Sequence, residues 1–557
     1  MTAEHRNKFL LIDDAFLLEV HDLERKVNPA IKHPEPVFRL DAPWDRGDDC
    51  LDLFSVIYDE KEKVFRMWYG VVSISDDLFF WHGPRTIAYA TSTDGIHWEK
   101  PELGLCAYRG STRNNYVTPQ MGSILGTVIR DPSDPPSRRY KMVFTIGSDW
   151  ARGGETEWAG FHVPLCIAHS ADGLRWQVPT HVNPVMRGLS DAGFTFYYDE
   201  DRRKYIVLGR RVPNLPRDLS QYESFDLVNW EDRGRVLVPG DRLDAPEMYN
   251  FQNMAPFRYE DFILGMLNTQ YSHEVSEAYE LRHPRPEAFP GNRFGQVDIQ
   301  LAYTRDGFTW ERPDDRTSVV PNGPDGAPDG GHLFPGFCPL VIDGETYIFY
   351  LALTDRHNHG DELRRALRET GDIRQRSCYM LARMPEDHWV SIDAGEKEGW
   401  LLTKPYGPPS RLLVNADAQG GRIEAEICTP YNHVVPGFSR ADCSGIEANG
   451  KDQEIRWRCE RDPRQLLETY RGGLCLRIYL RNAKLYSYSL MEPDPDGAIR
   501  RYWEDSRWNE TILHRSGNWD GDTNAPAGGV PQPPGTQFVS GTRFGPNPRA
   551  KAKWLPG

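Results

Sequence analysis

One phrase recurs along the chain and constrains the fold more than any other feature. A short β-type run leads into a polar turn and then a tryptophan. It reads Ile87-Ala-Tyr-Ala-Thr-Ser-Thr-Asp94-Gly95-Ile-His-Trp98, then Ile167-Ala-His-Ser-Ala-Asp172-Gly173-Leu-Arg-Trp176. A degenerate copy, Tyr222-Glu-Ser-Phe-Asp-Leu-Val-Asn-Trp230, follows. The last two are Leu301-Ala-Tyr-Thr-Arg-Asp306-Gly307-Phe-Thr-Trp310 and Leu381-Ala-Arg-Met-Pro-Glu-Asp-His-Trp389. Ahead of each copy stand two β-type runs joined by a short, mostly charged turn. These turns lie near Asp59, Asp131, Asp199, Tyr259 and Asp343. Each unit therefore reads as a four-stranded antiparallel meander, and five in series predict a five-bladed β-propeller over 45–405. Asp-Gly supplies the positive φ of a tight turn, and the tryptophan can pack between blades.

Composition agrees. Gly (49) and Pro (43) with 12% aromatics suit an all-β chain of many short strands and turns. The excess of acid, a net charge of −15, leaves no basic face for nucleic acid. No apolar run is long enough to span a membrane. The N-terminus does not read as a signal peptide. The nine cysteines are scattered without metal-type spacing, which reads as free thiols in a reducing compartment. A cytoplasmic location is expected.

From 406 to 515 short runs alternate apolar and polar residues, as in Leu412-Leu-Val-Asn-Ala, Gly421-Arg-Ile-Glu-Ala-Glu-Ile and the stretch after Leu474. That pattern predicts a C-terminal β-sandwich. Residues 1–44 are expected to form an arm closing onto the propeller, and 516–557 a Gly/Pro-rich C-terminal arm. Two insertions interrupt the units. Ser272–Leu281 is one. The other, Asp361-Glu-Leu-Arg-Arg-Ala-Leu-Arg-Glu-Thr, predicts a helix with opposite charges three and four residues apart.

In a propeller the innermost strands line a central channel, so carboxylates at their entrances are the candidates for chemistry. The first unit offers Asp49 and Asp52, the third Asp191, and the fourth Glu247. Asp52 and Asp191 stand at odd and even distances from the hairpin turns at Asp59 and Asp199. Strict alternation would point them oppositely, and a bulge at the entrance would bring them into phase. Trp81, His82 and Arg85 lie on the approach to a strand of the first unit. Asn250 and Gln252 follow Glu247, and His332 sits in a Gly-rich approach of the fifth unit. Each alone is equally a packing or turn-capping residue.

The order of units, the sandwich behind them and the acidic placement resemble the five-bladed glycoside hydrolases of families 32 and 43. The resemblance covers roughly 40–510. It implies an Asp/Asp/Glu set in which Asp52 is nucleophile or base, with Asp49 as its rival. Asp191 would stabilise the oxocarbenium-like transition state, and Glu247 would be the acid. The chain departs from family 32 in its motifs: it has Asp49-Cys-Leu-Asp52-Leu-Phe where that family has Trp-Met-Asn-Asp-Pro-Asn. Its Arg130-Asp131-Pro132 aligns with the outer hairpin turns and reads as a turn. The resemblance implies hydrolysis of furanosides, most of all β-fructofuranosides, in small oligosaccharides. An arabinofuranosidase of the family 43 kind, a glycoside phosphorylase and a non-catalytic carbohydrate-binding propeller remain alternatives. With no metal-ligand cluster or phosphate loop, no cofactor is expected. The partner is an oligosaccharide or glycoside, and self-association stays open.

Overall fold

The computed structural model describes residues 5–74, 85–119, 124–145, 162–190, 194–211, 217–240, 242–244, 248–271, 295–337, 339–357, 360–407, 409–459 and 473–492. The chain is nearly all-β, and Gly360–Thr370 is its one α-helix among the described residues. No described helix is long and apolar enough to cross a membrane. Two compact units form: Pro29–Glu386, and Met1–Asn28 together with Asp387–Gly557.

Within Pro29–Glu386 the chain lays down antiparallel sheets in sequence order. The first holds Asp49–Asp59, Val64–Ser73 and Arg85–Ser92. The second holds Ile124–Arg130, Tyr140–Thr145, His162–Ser170 and Met186–Ser190. The third holds Thr195–Asp199, Lys204–Gly209, Leu219–Ser224 and Glu231–Leu237. A fourth group, Met248–Tyr259, Phe262–Tyr271 and Val297–Thr304, meets a fifth through the single parallel pair Val297↔His332. The fifth comprises His332–Pro335, Leu340–Ile342, Glu345–Leu353 and Ser377–Pro385.

The first strands of these groups run side by side in a closed circuit, Asp49–Asp59 beside Ile124–Arg130, then Thr195–Asp199, Met248–Tyr259 and His332–Pro335. The backbone N–H of Phe337 returns to the carbonyl of Phe54 at 3.4 Å. Buried hydroxyls stitch the circuit. Ser55 donates to the Val128 carbonyl (3.0 Å), Thr127 accepts the Phe196 N–H (3.1 Å), and Thr195 donates to the Met254 carbonyl (2.6 Å). Side chains from both faces fill the layers between successive sheets. Trp68 and Tyr89 meet Tyr140, Met142 and Phe144; Val143 and Leu165 meet Phe196 and Val207; Ile206 and Leu208 meet Phe251, Met254 and Trp310. Burial on both faces is why these strands read as almost unbroken apolar runs.

The recurring turn has one geometry in its first four copies. A Ser or Thr hydroxyl accepts the N–H of the residue at positive φ: Ser92 from Gly95, Ser170 from Gly173, Ser224 from Leu227, Thr304 from Gly307. The carboxylates of Asp94, Asp172, Asp226 and Asp306 each accept the next two N–H groups. The third copy is degenerate because Leu227 takes the left-handed position, φ 68°, that glycine holds in the others. Asp131 also closes a turn as expected, accepting from the Ser133 N–H at 2.9 Å and from the Tyr205 hydroxyl.

The fifth copy departs from expectation. Trp389 leads into Val390–Ala394, which pairs with Ala483–Glu492 and Glu24–Val27 in the other unit. The place beside Ser377–Pro385 goes instead to Ile31–Lys32, fixed by Lys32 Nζ on Asp329 at 2.6 Å. The division therefore falls at 28/29 and 386/387, not at 44/45 and 405/406. Of the N-terminal segment, Ile31–Lys32 and the single bridge Phe38↔Tyr379 close onto the sheets of the larger unit. His5–Leu10, Leu17–His21 and Glu24–Val27 join the smaller one. A local turn phrase does not decide which strand the following residues will pair with.

The smaller unit has a six-stranded and a four-stranded antiparallel sheet. Phe9, Leu412, Val414, Ile455, Leu485 and Tyr488 of the first share one core with Leu17, Leu401, Ile423, Ala425 and Ile478 of the second. The 272–281 insertion and the 516–557 arm lie outside the described residues.

Candidate active site

The first strand of the first sheet carries both candidate carboxylates, with Asp52 on a bulge. Its pairing runs evenly from Asp59↔Val64 to Phe54↔Tyr69 and resumes at Leu51↔Val71, leaving Asp52 and Leu53 opposite Gly70 alone. The extra residue shifts the phase of the strand at Asp52. Gly70 makes room: a Cβ there would sit 3.0 Å from the Asp52 Cβ and 3.2 Å from the Leu53 carbonyl oxygen.

Asp52 is 7% exposed. Its Oδ2 accepts from Arg85 Nε at 2.7 Å and its Oδ1 from the Leu53 N–H at 2.9 Å. The Tyr379 hydroxyl donates to its backbone carbonyl at 2.8 Å. Arg85, at the start of the third strand, is itself buried. This places a carboxylate and a guanidinium, both nearly out of water, at one end of an inner strand, where their interaction is strong.

Asp49 is a different kind of acid. Fully buried, it accepts from the Ser73 and Tyr108 hydroxyls, each at 2.8 Å, and from the Arg46 N–H at 2.8 Å. Burial pushes its pKa up despite these bonds. With its oxygens committed to the turn and to two hydroxyls, Asp49 is built as a structural carboxylate. The predicted helix forms as Gly360–Thr370. It packs Leu363 and Ala366, with Ile373, onto Cys50, Val72 and Ile74, next to this carboxylate end of the sheet.

The same bulge recurs in the fourth group. Phe251↔Thr269 and Met254↔Leu267 leave Gln252 and Asn253 opposite Asn268, so Gln252 holds the position Asp52 holds in the first sheet. Gly126 is the extra residue in the second sheet. Gln252 is also tied to a buried arginine: its Oε1 accepts from Arg210 Nη1 at 3.0 Å. Its Nε2 donates to Gln270 Oε1 and lies 3.4 Å from His357 Nε2. Arg217 donates through Nη1 to Gln270 Oε1 at 3.2 Å, and through its backbone N–H to Asn250 Oδ1 at 3.2 Å. His332 is buried, with its ring 4.1 Å from that of Phe334 and 5.3 Å from that of His357.

The structure thus joins Asp52 to Arg85. It gathers Asn250, Gln252 and His332 into a second cluster through Arg210, Arg217, Gln270 and His357. Asp191, Glu247, Trp81 and His82 lie outside the described residues. Arg210, Arg217 and His357 were not legible as site residues. Each closes or follows a strand distant in sequence from Gln252, and only pairing across sheets brings them together.

No protein-family model matches the chain, and neither does any curated protein sequence. Solved structures similar to it include a thermostable family-43 glycoside hydrolase, at 14% identity and TM-score 0.37, covering 63% of this chain and 94% of that one. An N-acetylgalactosamine deacetylase from F. plautii, in complex with blood group B trisaccharide, matches at 13% identity and TM-score 0.40, over 67% and 96%. A β-1,2-mannobiose phosphorylase from Listeria innocua matches at 10% and TM-score 0.37, over 64% and 96%. At such identities and scores the chemistry has to be argued from this chain's own residues.

Proposed function

We propose that this chain is a glycosidase built on a five-bladed β-propeller with a β-sandwich behind it, acting on furanosides, most of all β-fructofuranosides, of small oligosaccharides. The observation that carries the reading is Asp52, a buried carboxylate aimed by a bulge at the end of an inner strand and held by Arg85. The closed circuit of first strands supports the propeller, and the core shared by two sheets supports the sandwich. Asp52, not Asp49, is the first-unit carboxylate that acts at the anomeric carbon. Glu247 protonates the leaving oxygen, and Asp191 holds sugar hydroxyls as positive charge develops on the ring.

The assignment of Glu247 has a specific test. A general acid matters most when the leaving group is basic. Glu247→Gln is expected to lose little activity on aryl furanosides with an acidic phenol and far more on alkyl furanosides. Equal losses on both, or none, would remove Glu247 from the role.

A further inference from the structure

We propose that the cluster around Gln252 and Gln270 is an oxyanion-binding subsite, taking a phosphate, sulfate or carboxylate group. The inference rests on the glycosidase reading only for the company the anion keeps, a sugar.

Two guanidinium groups, Arg210 and Arg217, and two imidazoles, His332 and His357, surround a pair of buried amides. The amide oxygens are already engaged, Gln252 Oε1 by Arg210 and Gln270 Oε1 by Arg217 and Gln252. Asp298, the carboxylate across from Thr269, is taken up by the hydroxyls of Thr269, Tyr271 and Ser318. Beside Arg217 the cluster still offers a donor. Asn250 is fully buried, and its Oδ1 is oriented by the Arg217 N–H, yet its Nδ2 has no hydrogen-bond partner. The amide of Asn253, the second residue of the same bulge, is also buried, with its Nδ2 and its Oδ1 both unpartnered. A buried donor left unpaired costs about 1–3 kcal/mol, so the group that belongs there is an acceptor. A multi-oxygen anion brings acceptors to the Asn250 amide and matches the fork of a guanidinium.

The test is calorimetric titration of the full-length protein with inorganic phosphate, sulfate and glucuronate, with glucose as the neutral control. At least one anion should bind. Arg217→Gln and the isosteric Asn250→Asp should each weaken that binding about tenfold or more, the ratio that 1.4 kcal/mol produces. Asp52→Asn should bind the anion as the wild type does, while losing glycoside cleavage. Absence of binding by all three anions, or unchanged affinity in both cluster variants, overturns the subsite. Intact binding in a protein that cleaves no glycoside defeats the glycosidase reading and leaves this one standing.

The source of the anion follows from two further assays, either of which supports the subsite. Phosphate-dependent cleavage of a neutral glycoside breaks the C1–O bond to the aglycone and forms one to phosphate, the aglycone oxygen taking the acid's proton. That result marks a free ion as co-substrate. Phosphate-independent preference for an aryl uronoside over its neutral counterpart places the carboxylate on the sugar.

Discussion

Replacing Arg85 with methionine probes the Asp52 environment directly. The two side chains are 3% and 9% exposed, and their atoms meet at 2.7 Å. A pair so removed from water differs from a surface ion pair, whose loss costs about 0–1 kcal/mol. Stripping one partner leaves the other charge buried and uncompensated, at a cost of about 3–5 kcal/mol. Methionine keeps much of the volume, so little of that loss is cavity. The double variant Arg85→Met/Asp52→Asn removes the stranded charge and should recover part of the loss. Its coupling energy should be about 1–3 kcal/mol, in the range of contacting residues. Urea unfolding supplies the numbers, with the transition of the larger unit followed separately because a protein of two compact units need not unfold in one step. A single-variant loss below about 1 kcal/mol, or additive effects, would refute the claim that Asp52 is held by a desolvated charge.

Other consequences follow from the turns, the bulge and the thiols. Gly173→Ala should destabilise by more than the roughly 1–2 kcal/mol of left-handed strain, because its Cβ would meet the Trp68 ring at 2.6 Å. Gly104→Ala, at φ 68° with open space around it, should show the strain alone in the same thermal melts. For Asp172, burial is outweighed by the N–H groups of Arg175 and Leu174 and by the Ser170 hydroxyl, which take its pKa down to about 2. A folded pKa below the unfolded one gives stability that is full above about pH 4 and lost as pH falls toward 2. Asp172→Asn should therefore flatten the acid limb of the stability curve while lowering stability at neutral pH. Burial pushes the thiols of Cys50, Cys166, Cys378 and Cys428 up to about 12. Among the described cysteines, alkylation of the native protein should reach the half-buried Cys106 and Cys459 first, as peptide mapping would show.

The repeat was readable because its turn is local. A hydroxyl, an aspartate and a residue at positive φ within six positions specify it, and four copies fold alike. The same locality misled at Trp389, where the phrase persists but the strand after it joins another sheet. Alternation raised the phase of Asp52 against Asp191 as a question; a bulge does lie opposite Gly70, while Asp191 is outside the described residues. Asp49 and Asp52 looked interchangeable in sequence. Only the Tyr108 and Ser73 hydroxyls, from elsewhere in the fold, separate Asp49 from the carboxylate paired with Arg85. Arg210, Arg217 and His357 carried no signal because their meeting around Gln252 and Gln270 depends on long-range pairing.

The proposed action of Asp52 on the sugar is the step on which the chemistry depends. It is tested most directly by kcat/KM of Asp52→Asn on the aryl furanoside that the wild type cleaves fastest, with circular dichroism to show an unchanged fold. A fall of about a hundredfold or more is expected. A folded variant that retains activity within a few-fold of the wild type would contradict it.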